Sequence, residues 1–309
     1  MSGRSLRGVV AAPVVAGADS LREAFLGARP FRHCVVDGFL EPAFAASLLA
    51  QFPDFEQGHF LNEDGVAGGK STVERIRALG DAFAALDDCV RSPDFLALVG
   101  HVTGIDDLLY DPEYFGGGTH ENRDGQSLDA HIDFNMHPTT GWHRRLNLIV
   151  YLNHGWREEW GGTLQLHRDP RDPATDEVTS IAPLFNRCVV FETTEQSWHG
   201  FPPIRLPPGQ ASTSRKSVAL YFYTRQRPAR ELASRHSTVY VDRPLPDHLR
   251  PGHVLSDGDV AELRELLARR DAHSRRLYAE LGTLQAELDR GFAGRVFAAA
   301  RRVRARLRR

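Results

Sequence analysis

The pattern of apolar and polar positions changes in character along this 309-residue chain. The segment 31–40, FRHCVVDGFL, is rich in β-branched and aromatic residues and predicts a strand, and the segment 41–53, EPAFAASLLAQFP, has helical apolar spacing that ends at a proline. Two more stretches with helical spacing follow, ALGDAFAALDDCV and DFLALVGHVTG, and Gly104 predicts the end of the second. The first third of the chain is therefore predicted to combine one strand with several helices.

Between Leu108 and Thr224 the pattern changes to short strand-like runs separated by clusters of Gly, Pro, Asn and Asp. The runs include LNLIVYL, GTLQLH, CVVFET and SVALYFYT. Short strands with frequent turn signals are typical of antiparallel β architectures, and a double sheet of the jelly-roll type accommodates them.

The last third of the chain has helical character. A proline-spotted connection with one predicted strand, STVYV, leads to Ser256, which predicts an N-cap with Asp259 three residues later as a variant capping box. Further along the helix, leucines keep a 4-3-4 spacing at Leu277, Leu281, Leu284 and Leu288. Arg270 and Ser274 interrupt this register, so packing onto the body of the protein and self-association as a coiled coil both remain open.

Composition and charge narrow the protein class. Apolar residues make up 41% and charged residues 25%, which is ordinary for a globular chain, and the net charge of −2 excludes a protein that coats nucleic acid or anionic membrane along its whole length. The exception is the end of the chain, where seven arginines lie between Arg295 and Arg309 and predict either a solvated helix end or contact with a polyanion.

The cysteines and the N-terminal segment indicate the cellular compartment in which the protein is expected. Cys34, Cys89 and Cys188 are widely separated and odd in number, so we expect buried, reduced thiols and a cytoplasmic protein. Pro13 interrupts the N-terminal apolar run, and no stretch reaches the ~20 apolar residues of a membrane span.

Two motifs in the β-rich region carry metal-binding side chains. In His131-Ile132-Asp133, residues i and i+2 of an extended segment point to the same face, so an imidazole and a carboxylate can approach one ion. His199 follows the strand-like run CVVFETTEQ. Two imidazoles and one carboxylate leave open positions on the metal and suit ferrous iron. A zinc hydrolase is the alternative, although the sequence lacks HExxH.

Arg215 opens the alternating run RKSVALY, sixteen residues after His199. An arginine at the start of a strand can present its planar guanidinium to a carboxylate through two parallel hydrogen bonds. This placement predicts a site for a dicarboxylate cosubstrate, and a structural ion pair at the surface is the alternative.

Four pieces, HID, RRLNLIVYLN with WGGTLQL, SWHG and RKSVALYFY, occur in an order that resembles the 2-oxoglutarate and iron-dependent oxygenases of the prolyl 4-hydroxylase-like group. The resemblance spans about 30–227. It implies a double-stranded β-helix, a jelly-roll variant. We therefore predict an α+β fold, mainly β, with this core, flanking N-terminal helices and a long C-terminal helical extension.

The resemblance also implies roles for individual residues. His131, Asp133 and His199 match the ligands of Fe(II), and Arg215 matches the residue that binds the distal carboxylate of 2-oxoglutarate. No catalytic residue beyond the metal ligands is predicted. Ascorbate is a candidate additional cofactor on the same resemblance.

Other residues complete the predicted site. Tyr151, in IVYLN, matches a tyrosine that binds the same distal carboxylate, and Tyr114, in YFGGGTHEN, resembles a cofactor-binding tyrosine upstream of the HxD pair, although its spacing is longer. The segment FNMHPTTGWHRR is expected at the pocket mouth, where Trp142, His143 and Arg144 would contact substrate. The remaining histidines of this region could line the pocket or be structural: His120, His137, His154 and His167.

The implied reaction is hydroxylation of an unactivated C–H bond of a peptidyl proline or a small molecule, with release of succinate and CO2. Asp133 favours hydroxylation because related halogenating enzymes lack this carboxylate. The expected partners are 2-oxoglutarate, O2 and a small-molecule or peptide substrate. The alternative is a catalytically idle barrel that binds partners through its C-terminal helix and basic tail.

The predicted organisation has four parts. A partly flexible N-terminal segment covers 1–29, the oxygenase domain 30–227, a linker 228–255 and a helical basic extension 256–309.

Overall fold

The strand-like runs of the central region form two antiparallel sheets. The computed structural model describes residues 5–61, 67–172, 174–210, 212–241, 245–246 and 248–290. The strands are β1 (His33–Asp37), β2 (His59–Leu61), β3 (Ala67–Val73), β4 (Leu109–Tyr110), β5 (Gly118–Asn122), β6 (Leu128–Ile132), β7 (His143–Tyr151), β8 (Leu164–His167), β9 (Val178–Ile181), β10 (Arg187–Glu192), β11 (Trp198–Phe201), β12 (Arg215–Thr224) and β13 (Val239–Tyr240).

The order of the strands is that of a jelly roll. The major sheet has the order β1-β10-β7-β12-β5-β3-β2, with β4 paired to β12, and the minor sheet has the order β13-β6-β11-β8-β9. Neighbouring strands run antiparallel and are mostly distant in sequence, as in a double-stranded β-helix. The predicted fold class, mainly β with flanking helices and a long C-terminal helix, is confirmed.

Strand β7 shows how the major sheet divides its two faces. Leu146, Leu148 and Val150 are fully buried in the main apolar core against the helices. Asn147 and Tyr151 alternate with them and point to the opposite face, which we call the pocket face. The alternation therefore separates a packing face from a face that carries polar side chains.

The helices pack against the face of the major sheet that is opposite the pocket face. They are α1 (Ala12–Ala16), α2 (Ala18–Gly27), α3 (Pro42–Ala50), α4 (Asp81–Val90) and α5 (Pro93–Thr103). In α5, the Ser92 hydroxyl accepts a hydrogen bond from the Phe95 amide, and Gly104 ends the helix with a φ of 70°. A left-handed residue at this position favours glycine. The predicted end of this helix at Gly104 is confirmed.

The boundaries of the compact body differ from the prediction. One compact unit spans Met1–Asp242. The segment predicted to be partly flexible forms α1 and α2, and Phe25 of α2 is fully buried in the main core. The predicted linker contributes β13, which pairs with β6, because its backbone continues the edge of the minor sheet. Both segments therefore belong to the barrel unit.

The second unit, Arg243–Arg309, contains helix α6 (Asp257–Arg290). The Ser256 hydroxyl accepts a hydrogen bond from the Asp259 amide, and the Asp259 carboxylate accepts one from the Ser256 amide, so the predicted capping box is confirmed. Leu277 and Leu281 are 41% and 60% exposed. The side chains of Leu284 and Leu288 and the arginine-rich end, 291–309, lie outside the described part of the chain.

The three cysteines are free and buried, as predicted, and burial raises the pKa of the Cys34 and Cys89 thiols to about 12. Within the described residues, no helix combines the length and apolar character needed to cross a membrane.

Candidate metal and cosubstrate site

Two neighbouring strands of the minor sheet bring the predicted metal ligands together. His131 of β6 and His199 of β11 lie directly opposite each other in the antiparallel register, and Asp133 follows β6 by one residue. The Nε2 atoms of His131 and His199 lie 3.7 and 3.4 Å from the Asp133 carboxylate oxygens. His131 and His199, which are 68 positions apart in sequence, therefore converge with Asp133 on one position.

Backbone contacts fix the orientation of both imidazoles. The Nδ1–H of His131 donates to the Asp129 carbonyl at 2.8 Å, and the Nδ1–H of His199 donates to the Ser197 carbonyl at 2.9 Å. A hydrogen bond at Nδ1 leaves the lone pair of Nε2 for a metal. Burial and the neighbouring His131 lower the pKa of His199 to about 4, so this imidazole is neutral at pH 7.

The Asp133 carboxylate is held from one side. Its Oδ2 accepts a hydrogen bond from the Asn147 amide at 2.8 Å and lies 3.2 Å from the Arg144 guanidinium. Burial by itself would raise the pKa of Asp133, but Arg144 and the two imidazoles outweigh burial and hold this pKa well below its usual range. The site thus offers two oriented imidazole nitrogens and one ionised carboxylate, a donor set that fits Fe(II).

Arg215 lies at the other end of the pocket face. Its guanidinium is 4% exposed, its Nε donates to the Gly162 carbonyl at 2.7 Å and one terminal nitrogen donates to the Tyr151 hydroxyl at 3.1 Å. No carboxylate of the described residues forms an ion pair with it. Because an uncompensated buried cation is costly, this environment fits an anionic ligand such as the distal carboxylate of 2-oxoglutarate.

Gly162 makes room for Arg215. Its backbone has a φ of 63°, and a Cβ atom there would lie 3.2 Å from the Arg215 Cδ and 3.1 Å from the Trp156 ring. A larger residue would therefore be strained and would crowd the arginine. The close packing around Gly162 thus explains why the second residue after the tryptophan of WGGTLQL is a glycine.

The structure does not bring Tyr114 to this pocket. The Tyr114 hydroxyl donates to the Asp87 carboxylate of α4 at 2.9 Å, within the apolar core on the other face of the major sheet. Tyr114 precedes β5 in a turn with a φ of 52°, which directs its side chain away from the pocket. The expectation that Tyr114 binds the cosubstrate is therefore corrected.

The three residues predicted to contact substrate lie in different settings. Trp142 and His143 are half-buried near the start of β7. Arg144 is fully buried, its guanidinium carbon lies 3.6 Å from the Tyr221 ring centre, and it donates to the Asn147 carboxamide oxygen at 2.8 Å. This placement favours a role beside Asp133 over direct contact with substrate. For Trp142 and His143 the assignment stays a prediction.

Two further residues lie beside the site, and of these only His120 was named from the sequence, as one of several histidines that could line the pocket. Tyr240 of β13 pairs with His131, and the two ring centres lie 5.3 Å apart. His120 of β5 lies opposite Ser217 of β12, which in turn lies opposite Tyr151 of β7, so all three share the pocket face. The alternation within each strand was visible in the sequence, but the pairing between distant strands was not.

A search of solved structures found several proteins to which this chain is similar. A structure of a prolyl hydroxylase in complex with a hypoxia inducible factor oxygen degradation domain peptide fragment, from Trichoplax adhaerens, is 17% identical with a TM-score of 0.50 and covers 69% of this chain and 93% of that one. A prolyl 4-hydroxylase from Phytophthora capsici is 18% identical, with a TM-score of 0.45 and coverage of 84% and 72%. The non-heme alpha ketoglutarate dependent epimerase SnoN from nogalamycin biosynthesis is 14% identical, with a TM-score of 0.47 and coverage of 68% and 81%.

A search of curated proteins found no match. The family model of the 2OG-Fe(II) oxygenase superfamily matches residues 117–223, which include His131, Asp133, His199 and Arg215. The predicted cofactors, Fe(II) and 2-oxoglutarate, are those of this superfamily. The resemblance found in the sequence is thus confirmed: residues 117–223 match the 2OG-Fe(II) oxygenase superfamily, and the fold is similar to that of the prolyl hydroxylase from Trichoplax adhaerens.

Proposed function

We propose that the protein is a 2-oxoglutarate-dependent oxygenase that hydroxylates an unactivated C–H bond, with His131, Asp133 and His199 as ligands of Fe(II). The observation that supports this most is the convergence of two oriented imidazoles on one ionised carboxylate. When bound, Fe(II) and 2-oxoglutarate supply the oxidising chemistry: one O2 is consumed, 2-oxoglutarate becomes succinate and CO2, and the substrate gains one oxygen atom.

The residues of the chain provide orientation and charge. Asn147 and Arg144 both contact Oδ2 of Asp133 and so hold the carboxylate beside the two imidazoles. Arg215 and Tyr151 bind the distal carboxylate of 2-oxoglutarate in this proposal. Burial raises the pKa of the Tyr151 phenol, so its hydroxyl keeps the proton that it donates.

The substrate in this proposal is a peptidyl proline or a small molecule. The similar fold of the Trichoplax adhaerens prolyl hydroxylase, whose structure contains a peptide fragment, supports the first choice. Trp142 and His143 are the candidate substrate contacts. The proposed oxygenase unit is the whole compact body, Met1–Asp242, with the C-terminal helix as an accessory.

The test of this function is oxygen-dependent formation of succinate from 2-oxoglutarate. Purified protein with Fe(II) is expected to release succinate slowly without substrate and faster when the true substrate is added from a panel of proline-containing peptides, amino acids and sugars. His199→Ala is expected to abolish both rates. Absence of succinate from the wild-type protein under all conditions would contradict the oxygenase proposal and favour the idle barrel.

A further inference from the structure

A second group of metal-binding side chains lies at the start of helix α6. His248, in the connection before the helix, and Asp259 and Glu262, in its first two turns, place one ligand atom each within 4.8 Å of one another. Among the residues that the structure describes, this group and the proposed iron ligands are the two sets with that spacing. The second group belongs to the unit 243–309 and not to the barrel.

The contacts of His248 differ from those of an ordinary histidine–carboxylate pair in this protein. His101 lies 2.7 Å from the single carboxylate of Asp19. By contrast, the Nε2 atom of His248 lies 3.1 Å from the Asp259 carboxylate and 3.3 Å from the Glu262 carboxylate. A neutral imidazole has one N–H group to donate, so two carboxylates at one nitrogen exceed what it can satisfy. The two negative charges also repel each other, and a cation between them would remove that repulsion.

The spacing of the three groups is that of ligands around one ion. Two ligand atoms that each lie about 2.1 Å from a tetrahedral zinc ion are about 3.4 Å apart. The spacings of 3.1 and 3.3 Å around His248 are close to this value. The proposed iron ligands have similar spacings of 3.4 and 3.7 Å.

The Asp259 carboxylate is held in place from one side. Its Oδ2 accepts a hydrogen bond from the Ser256 amide at 2.7 Å and lies 2.9 Å from the Nε2 atom of His253. Its Oδ1 is the atom that faces His248. Groups that fix the far oxygen of a carboxylate orient it as a metal ligand. The side chains of His248 and Glu262 are 49% and 46% exposed, so an ion can reach the group from solvent.

We propose that His248, Asp259 and Glu262 bind a divalent transition-metal ion such as zinc, with His253 holding the Asp259 carboxylate. One imidazole and two carboxylates are donors that zinc accepts, and water completes its coordination. The ion joins the connection around residue 248 to the first two turns of α6, so its role is structural. The site is independent of the proposed oxygenase function.

Zinc binding to the full chain, measured by equilibrium dialysis, tests this site. The barrel site is first removed by the double substitution His131→Ala/His199→Ala, which gives the background variant. Three substitutions are then added to this background one at a time: His248→Ala, Glu262→Gln and His253→Ala. Circular dichroism and melting temperatures confirm that each variant is folded.

His101→Ala in the same background is the matched control, because His101 is an exposed histidine that pairs with one carboxylate. Asp259 is left unchanged, since its carboxylate also caps α6.

The background variant is expected to bind one zinc ion per chain. His248→Ala and Glu262→Gln each remove a ligand and should weaken this binding about tenfold or more, and His253→Ala should have a smaller effect. His101→Ala should leave it unchanged. A background variant that binds no zinc, or binding that survives both ligand substitutions, overturns the site. An equal loss in the His101 variant also overturns it.

A second measurement applies if the background variant does not fold. In the otherwise wild-type chain, His248→Ala should reduce the zinc bound at saturation by one ion per chain, whereas His101→Ala should not. Zinc binding that is the same in the His248 variant and in the wild-type protein overturns the site.

Discussion

The two ends of the pocket face differ in how a buried charge is compensated. At the metal end, the Asp133 carboxylate is compensated within the protein by Arg144 and Asn147. At the cosubstrate end, the Arg215 guanidinium contacts a carbonyl and a phenol, and no described carboxylate pairs with it. A buried charge is stable only when it is compensated. The charge of Asp133 is therefore compensated before any ligand binds, whereas the charge of Arg215 is compensated when an anionic ligand binds.

Because of this difference, residues at the two ends are expected to affect different properties of the protein. Groups that compensate Asp133 should affect the stability of the protein and its affinity for metal, whereas Arg215 should affect affinity for an anion while contributing little to stability. Substitutions at the two ends therefore provide a direct comparison.

The largest effect is expected from Asp133→Ala. Loss of the carboxylate removes the anionic ligand from the metal site, and we expect iron affinity to fall by about two orders of magnitude or more. Equilibrium dialysis under anaerobic conditions measures this affinity. Asp37→Ala is the control, because Asp37 lies on the edge strand β1, where its exposed carboxylate pairs with Arg187. Equal iron binding by the Asp133 and Asp37 variants would exclude Asp133 as a ligand.

The second effect is on stability and distinguishes two buried arginines. Arg144→Met leaves the Asp133 carboxylate with less compensation and should lower the free energy of unfolding of the metal-free protein by about 3 kcal/mol. Arg215→Met removes a buried cation that has no carboxylate partner, so it should be neutral or stabilising. Urea denaturation of both variants tests the contrast. A larger loss of stability in the Arg215 variant would reverse the comparison.

The third effect is on cosubstrate affinity. Arg215→Met should weaken binding of 2-oxoglutarate about 10- to 100-fold, since a charge-assisted contact to the distal carboxylate is lost. Iron affinity should remain within about twofold of wild type, because Arg215 contacts none of the proposed metal ligands. Titration calorimetry with Mn(II)-loaded protein gives the first value, and dialysis gives the second.

The smallest effect is expected from Tyr151→Phe. The Tyr151 hydroxyl accepts a hydrogen bond from Arg215, and in the proposed function it donates one to the same carboxylate. Without this single hydrogen bond, 2-oxoglutarate should bind about 3- to 10-fold more weakly. Unfolding should be almost unchanged. An effect larger than that of Arg215→Met would assign the main contact to the tyrosine.

Local sequence patterns predicted most of the fold. The alternation of β7, the end of α5 at Gly104 and the Ser256 capping box all depend on neighbouring residues, so they were visible along the chain. The strand STVYV, which contains β13, was predicted, but its pairing with β6 was not, because that pairing depends on a distant segment of the chain. The extent of the barrel unit was missed for the same reason.

The candidate site could likewise be predicted only as far as local sequence patterns reach. His131 and Asp133 follow from strand alternation, but the position of His199 opposite His131 is a property of the register between distant strands. Tyr114 was predicted from its resemblance to a tyrosine upstream of the HxD pair in related proteins, whereas the strand register places His120 on the pocket face. Residue roles that depend on ligands, including the substrate contacts of Trp142 and His143 and the use of ascorbate, stay predictions.

The most direct test of the central claim is the anaerobic visible spectrum of the protein with Fe(II) and 2-oxoglutarate. Chelation of ferrous iron by the cosubstrate at the proposed site should give a weak charge-transfer band in the wild-type protein that is absent with Fe(II) alone. Arg215→Met should require a higher 2-oxoglutarate concentration for the same band. A wild-type protein that shows no band, together with unchanged iron binding in Asp133→Ala, would contradict the assignment of His131, Asp133 and His199 as the iron site.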